Sequence, residues 1–274
     1  MPTITSADGT RLGVTSTGSG PGLVVLPGGL RSAHDYVRLA AGLSDLRTVH
    51  VLDRRGRGAS GPKGPAYAIE REVEDAAAVL DATGAEEVFG HSFGGLVALH
   101  VALHRRLRRL VVFEPAVSLH GALDTQFLSA YEHRLAAGRD AAAMATFLTG
   151  LGFSPMPILP LPIWTMFAWI MLHTAGGRET RALLHTLPSE WRIAAGLDSD
   201  GTRYAAIDSP TLIIAGDRSP GWLRRVQVEL AKLVPGAAYT CSPGLDHNAP
   251  DVSAPETVAN LVRAFLVTGG ATAR

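Results

Sequence analysis

The chain has a single cysteine, Cys241, so no disulfide can form within it. Its "AYTCS" surroundings read as a strand holding a buried, inert thiol. The opening "MPTITSADGTRLGV" has neither the basic start nor the apolar core of a signal peptide, which makes the cytoplasm the expected location. A long hydrophobic run is also missing. The greasiest stretch, Met156 to Leu172, is interrupted by Pro157, Pro160 and Pro162, and its unbroken remainder, Ile163 to Leu172, is half of the ~20 residues that a bilayer span requires. No membrane span is expected. Basic and acidic side chains number 25 each, and with no charge excess to attract a polyanion, nucleic acid is not an expected partner. None of these features fixes the oligomeric state, and a homodimer is compatible with them.

At 274 residues the chain can bury a large core as one α/β body carrying an insertion. Short β-type runs alternate with helical patterns, the signature of βα units building a parallel sheet. "MPTITSADGTRLGV" reads as a hairpin, "LVVL" (23–26) as a buried strand and "TVHVLD" (48–53) as the next. Between them Ser32 and Asp35 have the spacing of a capping box, followed by Tyr36, Val37, Ala40 and Leu43 on one helix face. Ile69, Val73, Ala76 and Leu80 recur at helical spacing, "EEVFG" leads through "HSFGG" into a helix, and "RLVVF" (109–113) is a further strand. From 116 to 206 the alternation gives way to helical patterns. It resumes at "TLIIAGD", passes "AAYTC" and closes on the helical "APETVANLVRAFLV", before a tail, "TGGATAR", that reads as unstructured. The expected architecture is a doubly wound, mostly parallel sheet formed by 1–115 and 207–274, with a helical insertion at 116–206.

The chemistry concentrates in "FGHSFGGL", where Gly90, Ser92 and Gly94 form G-x-S-x-G between a predicted strand and a predicted helix. That context turns the pattern into a nucleophile elbow. Small residues flank the serine because the turn is sharp and a Cβ there would strike the neighbouring strand or helix. A serine hydroxyl needs a base to take its proton, and His247, in the turn-rich "SPGLDHNAP" after the last predicted strand, is so placed. The histidine pair in "HVALH" (His100, His104) lacks the glutamate that zinc proteases place beside the first histidine, so those two read as ordinary helix residues. No metal and no cofactor are expected. An oxyanion needs two N–H donors. Phe93, after the serine, supplies one; the other is expected from "LPGGL", from Gly29 or alternatively Leu30.

Together these segments resemble the α/β-hydrolase fold, from about residue 10 to residue 267. "LVVLPGGL" is similar to its oxyanion loop, "LDRRGRGASG" to its D-x-R-G-x-G-x-S segment, "GHSFGG" to its elbow, and "TLIIAGD" and "GLDHN" to the segments carrying acid and histidine. Pro27 stands where many members have histidine, and Ser219 where the usual pattern puts its aspartate. The resemblance implies that 116–206 is a cap over the site, with Leu30, Trp164, Phe167 and Met171 as candidate walls for a small apolar substrate. It implies a serine hydrolase acting on an apolar ester, thioester or lactone through an acyl-enzyme. Acyl transfer, carbon–carbon cleavage, a non-hydrolytic biosynthetic step and a non-catalytic receptor stay open. Two carboxylates fall between Ser92 and His247 in the required order, Glu114 and Asp217. Glu114 directly follows a strand and precedes Pro115, which biases it toward an extended backbone aimed past the sheet's carboxyl edge and favours it. Asp217 is the alternative, with a bland reading as a turn acceptor.

Overall fold

The structure, a computed structural model, describes residues 4–152 and 159–268. Met156 to Ile158 of the greasy run and the tail beyond Thr268 lie outside the described residues. The strands are β1 Ile4–Thr5, β2 Arg11–Thr17, β3 Gly22–Leu26, β4 Thr48–Asp53, β5 Glu87–His91, β6 Arg109–Phe113, β7 Thr211–Gly216 and β8 Ala238–Ser242. The helices are α1 Val37–Ala41, α2 Ile69–Thr83, α3 Phe93–His104, α4 Phe127–Ala136, α5 Asp140–Gly150, α6 Leu161–His173, α7 Ala175–Leu183, α8 Leu187–Gly196, α9 Gly221–Leu233 and α10 Pro255–Thr268.

All eight strands form one sheet in the order β1-β2-β4-β3-β5-β6-β7-β8. β1 and β2 make the expected N-terminal hairpin, β2 runs antiparallel to β4, and the remaining pairs are parallel. Covered by helices on both faces, β3, β5, β6 and β7 are buried almost throughout, which is why they read as continuous apolar runs instead of alternating. From β3 the chain steps to β4 on one side and then returns to β5 on the other. This reversal opens a crevice at the carboxyl ends of β3 and β5. The segments leaving those two ends are "LPGGL" and "HSFGG".

Two sequence expectations need correction. Val37 is exposed while Leu39 is buried, because the element starts with a 3₁₀ turn, Ala33–Tyr36, behind the Ser32–Asp35 capping box. Three residues per turn shift the apolar face, so Tyr36, Leu39, Ala40 and Leu43 point inward. Cys241 does lie in a strand, but it is exposed, since β8 is the last strand of the sheet and has no neighbour beyond it.

Helices α4 to α8 occupy the stretch between β6 and β7. An ionic cluster fixes α8 to the rest: Glu190, nearly inaccessible, accepts from Arg54 at 3.0 Å, from Arg57, and from Lys63 at 3.0 Å. Burial pushes the Glu190 carboxyl up, but the three cations outweigh it and hold the group well below the usual carboxylate range. The same burial lowers Lys63 to about 8. Glu190→Ala would leave Arg54 and Arg57 buried with a missing counter-charge. Its expected cost is about 3–5 kcal/mol, read from urea unfolding; a loss below ~1 kcal/mol would show that water replaces the carboxylate.

Candidate active site

Ser92 sits between the end of β5 and the start of α3 with φ 51° and ψ −118°, a backbone conformation that L-residues rarely adopt. Three backbone bonds hold it there: its N–H donates to Phe113 O at 3.0 Å, and its carbonyl accepts from Leu96 and Ala116. The glycines make room for this turn. A Cβ on Gly90 would lie 2.6 Å from Gly94 O and 2.7 Å from Gly95 Cα, and one on Gly95 would lie 2.9 Å from Pro115.

His247, in the loop after β8, turns its Nε2 to Ser92 Oγ at 3.1 Å and its Nδ1 to Glu114 Oε2 at 2.7 Å. Glu114 follows β6 and is completely buried, but with a φ of 42° it is left-handed and not extended as the following Pro115 led one to expect, held there by its N–H bond to Ile214 O at 2.9 Å. Its other oxygen, Oε1, accepts the Gly216 N–H at 2.8 Å, and Oε2 also accepts the Ser219 hydroxyl at 2.9 Å. The serine found where the family's aspartate usually stands is therefore a donor to the glutamate. Asp217 is exposed and accepts the Gly244 N–H at 2.7 Å. The structure thus brings Ser92, His247 and Glu114 into one line and engages Asp217 in a turn contact with the loop that follows β8.

Phe93 is the first residue of α3, where an N–H has no acceptor within the helix. Facing the elbow, the "LPGGL" loop is pinned from behind. Arg54 donates to Pro27 O at 2.9 Å and to Gly28 O at 3.2 Å, and Arg57 donates to Gly28 O at 3.1 Å and Arg31 O at 3.0 Å. These arginines of the "DRRGRG" turn are buried, with Arg54 also over the Phe93 ring at 4.8 Å. The Gly28 N–H is engaged by Tyr36 Oη at 2.9 Å, which leaves Gly29 and Leu30, the latter buried with a φ of 59°, as the loop's donor candidates.

The four candidate wall residues are dispersed. Leu30 is at the loop, Trp164 is buried in the core formed with the helical segment, and Phe167 and Met171 are exposed on α6, whose main packing partners are α5 and α7. His100 is buried against Tyr204. Among the described residues no group of three or more His, Cys, Asp or Glu is gathered as for a metal ion, and no helix is long and apolar enough to cross a membrane. Ser219, Tyr36, His91 and Glu190 carry no motif in the sequence that marks these contacts. A polar atom on a buried tyrosine or serine must find a partner, but which one is a tertiary fact.

Residues 23–261 match the model of the alpha/beta hydrolase family, and the chain belongs to that family. An alpha/beta hydrolase from Sphaerobacter thermophilus DSM 20745 is 33% identical with a TM-score of 0.81, the alignment covering 97% of this chain and all of that one. A hydrolase from Pseudomonas aeruginosa PA01 shares the fold at 24% identity, with a TM-score of 0.74 and 97% coverage of both chains. Lipase LipV of Mycobacterium tuberculosis (strain ATCC 25618 / H37Rv) is 37% identical over 109 residues, a match that spans 38% of this chain and 41% of the lipase.

Proposed function

We propose that the protein is a serine hydrolase that cleaves an apolar ester, thioester or lactone through an acyl-enzyme. The observation that carries this reading is the single line of contacts from Ser92 Oγ through both nitrogens of His247 to the buried Glu114. Ser92 attacks the acyl carbon as His247 Nε2 takes its proton. The N–H groups of Phe93 and Gly29 stabilise the oxyanion, and the imidazolium then protonates the leaving group. Water enters by the same route in reverse and releases the acid. Glu114 keeps the proton of neutral His247 on Nδ1 and stabilises the imidazolium that forms. The esterase and lipase character of the class is supported by the partial match to a lipase. Localisation in the cytoplasm belongs to the same proposal.

The test is labelling with a fluorophosphonate followed by peptide mapping. Modification confined to the peptide containing Ser92 supports the mechanism. Slow, unsaturable labelling spread over other serines would favour a receptor with a disarmed site.

Residues 116–206 are proposed as the cap that shapes the pocket, with Leu30 of the "LPGGL" loop lining the acyl path; Trp164, buried in the core, and Phe167 and Met171, exposed on α6, are not retained as its walls. If so, acyl length should matter in a series of p-nitrophenyl esters. Each added methylene that the pocket buries should raise kcat/KM by about fourfold, equivalent to ~0.8 kcal/mol, until the pocket is full. A flat response from acetyl to octanoyl would remove Leu30 and the cap from the substrate path.

A further inference from the structure

We infer that Tyr36 and His91 form a buried positioning relay that holds the oxyanion loop and the His247 loop in fixed relation across the crevice. The inference rests on the Ser92 mechanism proposed above and adds two residues to it. The Gly28 N–H donates to Tyr36 Oη at 2.9 Å, Tyr36 Oη lies 2.6 Å from His91 Nδ1, and His91 Nε2 lies 2.8 Å from the backbone carbonyl of His247. Both side chains are buried, and the His91 ring lies edge-on to Tyr36 and to Phe113.

The two ends of this chain fix the proton directions for a neutral His91 ring. An amide N–H can only donate, so Tyr36 Oη accepts from Gly28. A carbonyl can only accept, so His91 carries a proton on Nε2 and donates to His247 O. With the ring neutral, Nδ1 keeps its lone pair and accepts the Tyr36 proton, and neither ring nitrogen is left spare. Burial and the neighbouring His247, whose ring centroid is 5.0 Å away, keep its pKa well below the usual histidine value, consistent with that assignment. Two things follow for the reaction. The Gly28 N–H is withheld from the oxyanion, which leaves that task to the next residues, and the backbone of His247 is tied to the elbow residue immediately before Ser92. Arg31, which follows the oxyanion loop, pairs with Asp251 beyond His247, so the same two segments have a second tie and can remain folded together when the relay is cut.

The experiment compares kcat and KM for p-nitrophenyl butyrate in Tyr36→Phe, His91→Phe, His91→Gln and the double variant Tyr36→Phe/His91→Phe, alongside Ser92→Ala, with folding checked by circular dichroism. Tyr36→Phe and His91→Phe are each expected to lower kcat by roughly 10–100-fold, as a displacement of the reacting groups by ~1 Å does. KM should stay within about twofold. The double variant should be no slower than the worse single one, because residues acting as a unit do not add their losses. His91→Gln, which can still offer an N–H to the His247 carbonyl, should recover part of the loss relative to His91→Phe. If Tyr36→Phe does not fold, the His91 pair reads the same link from its other end. Near-wild-type kcat in either phenylalanine variant, with Ser92→Ala inactive, would overturn the relay alone; so would multiplicative losses in the double variant. Turnover surviving in Ser92→Ala would instead remove the mechanism on which the relay rests.

Discussion

Ser92→Ala is expected to abolish fluorophosphonate labelling and to lower the turnover of activated esters by about 10⁶, the scale seen when a nucleophile acting in concert with its base is removed. The fold should be indifferent to this change. Ser92 uses its backbone, not its hydroxyl, to hold the turn, through Phe113, Leu96 and Ala116, and alanine retains a Cβ like serine's. The melting profile should therefore match wild type to within a few tenths of a kcal/mol, which separates loss of chemistry from loss of structure. His247→Ala should be almost as severe, and the two together no worse than either alone. Turnover by Ser92→Ala within tenfold of wild type would disprove the acyl-enzyme route, since Ser92 Oγ is the hydroxyl that meets His247 Nε2 at 3.1 Å.

How much of this was legible in the sequence depended on how local the cause was. The central strands could be placed almost to the residue because burial on both faces of a parallel sheet writes itself as an unbroken apolar run. The elbow could be placed because a strained turn next to helix and strand demands glycine. What depended on neighbours far along the chain could not be placed. Cys241 has strand composition, yet its exposure comes from β8 lying at the sheet's edge. Val37 fits a helical period that a 3₁₀ turn then shifts. Tyr36 read as an apolar helix position, and its hydroxyl proves to join Gly28 to His91. The arginines of "DRRGRG" carry no local sign of their partner, because Glu190 comes from α8, inside an insertion whose packing no local pattern predicts. The orientation of Phe167 and Met171 was equally illegible, because an apolar helix with hydrophobic residues all round does not announce which side it covers.

The carboxylate that partners His247 is the sharpest case, and the two candidates should separate cleanly under substitution. In Glu114→Gln the Gly216 N–H, an obligatory donor, fixes which end of the side-chain amide is oxygen: the carbonyl oxygen takes the Oε1 position, and the NH₂ takes the position facing His247 Nδ1. An amide donor there forces the imidazole proton onto Nε2, which then has no lone pair for the proton of Ser92. The expected loss in kcat is up to ~10⁴, the cost of the wrong tautomer in a serine, histidine and carboxylate constellation. Ser219 can adapt, because its hydroxyl at 2.9 Å can accept from the amide as readily as it donates to a carboxylate. Asp217→Asn offers a contrast. Its contact is with the Gly244 N–H, which an asparagine carbonyl accepts equally well, so kcat should stay within about threefold and stability within ~1 kcal/mol. Measured side by side at matched folding, a silent Glu114→Gln and an inactive Asp217→Asn would reverse the assignment, and would require the loop that follows β8 to rearrange around His247 when substrate binds.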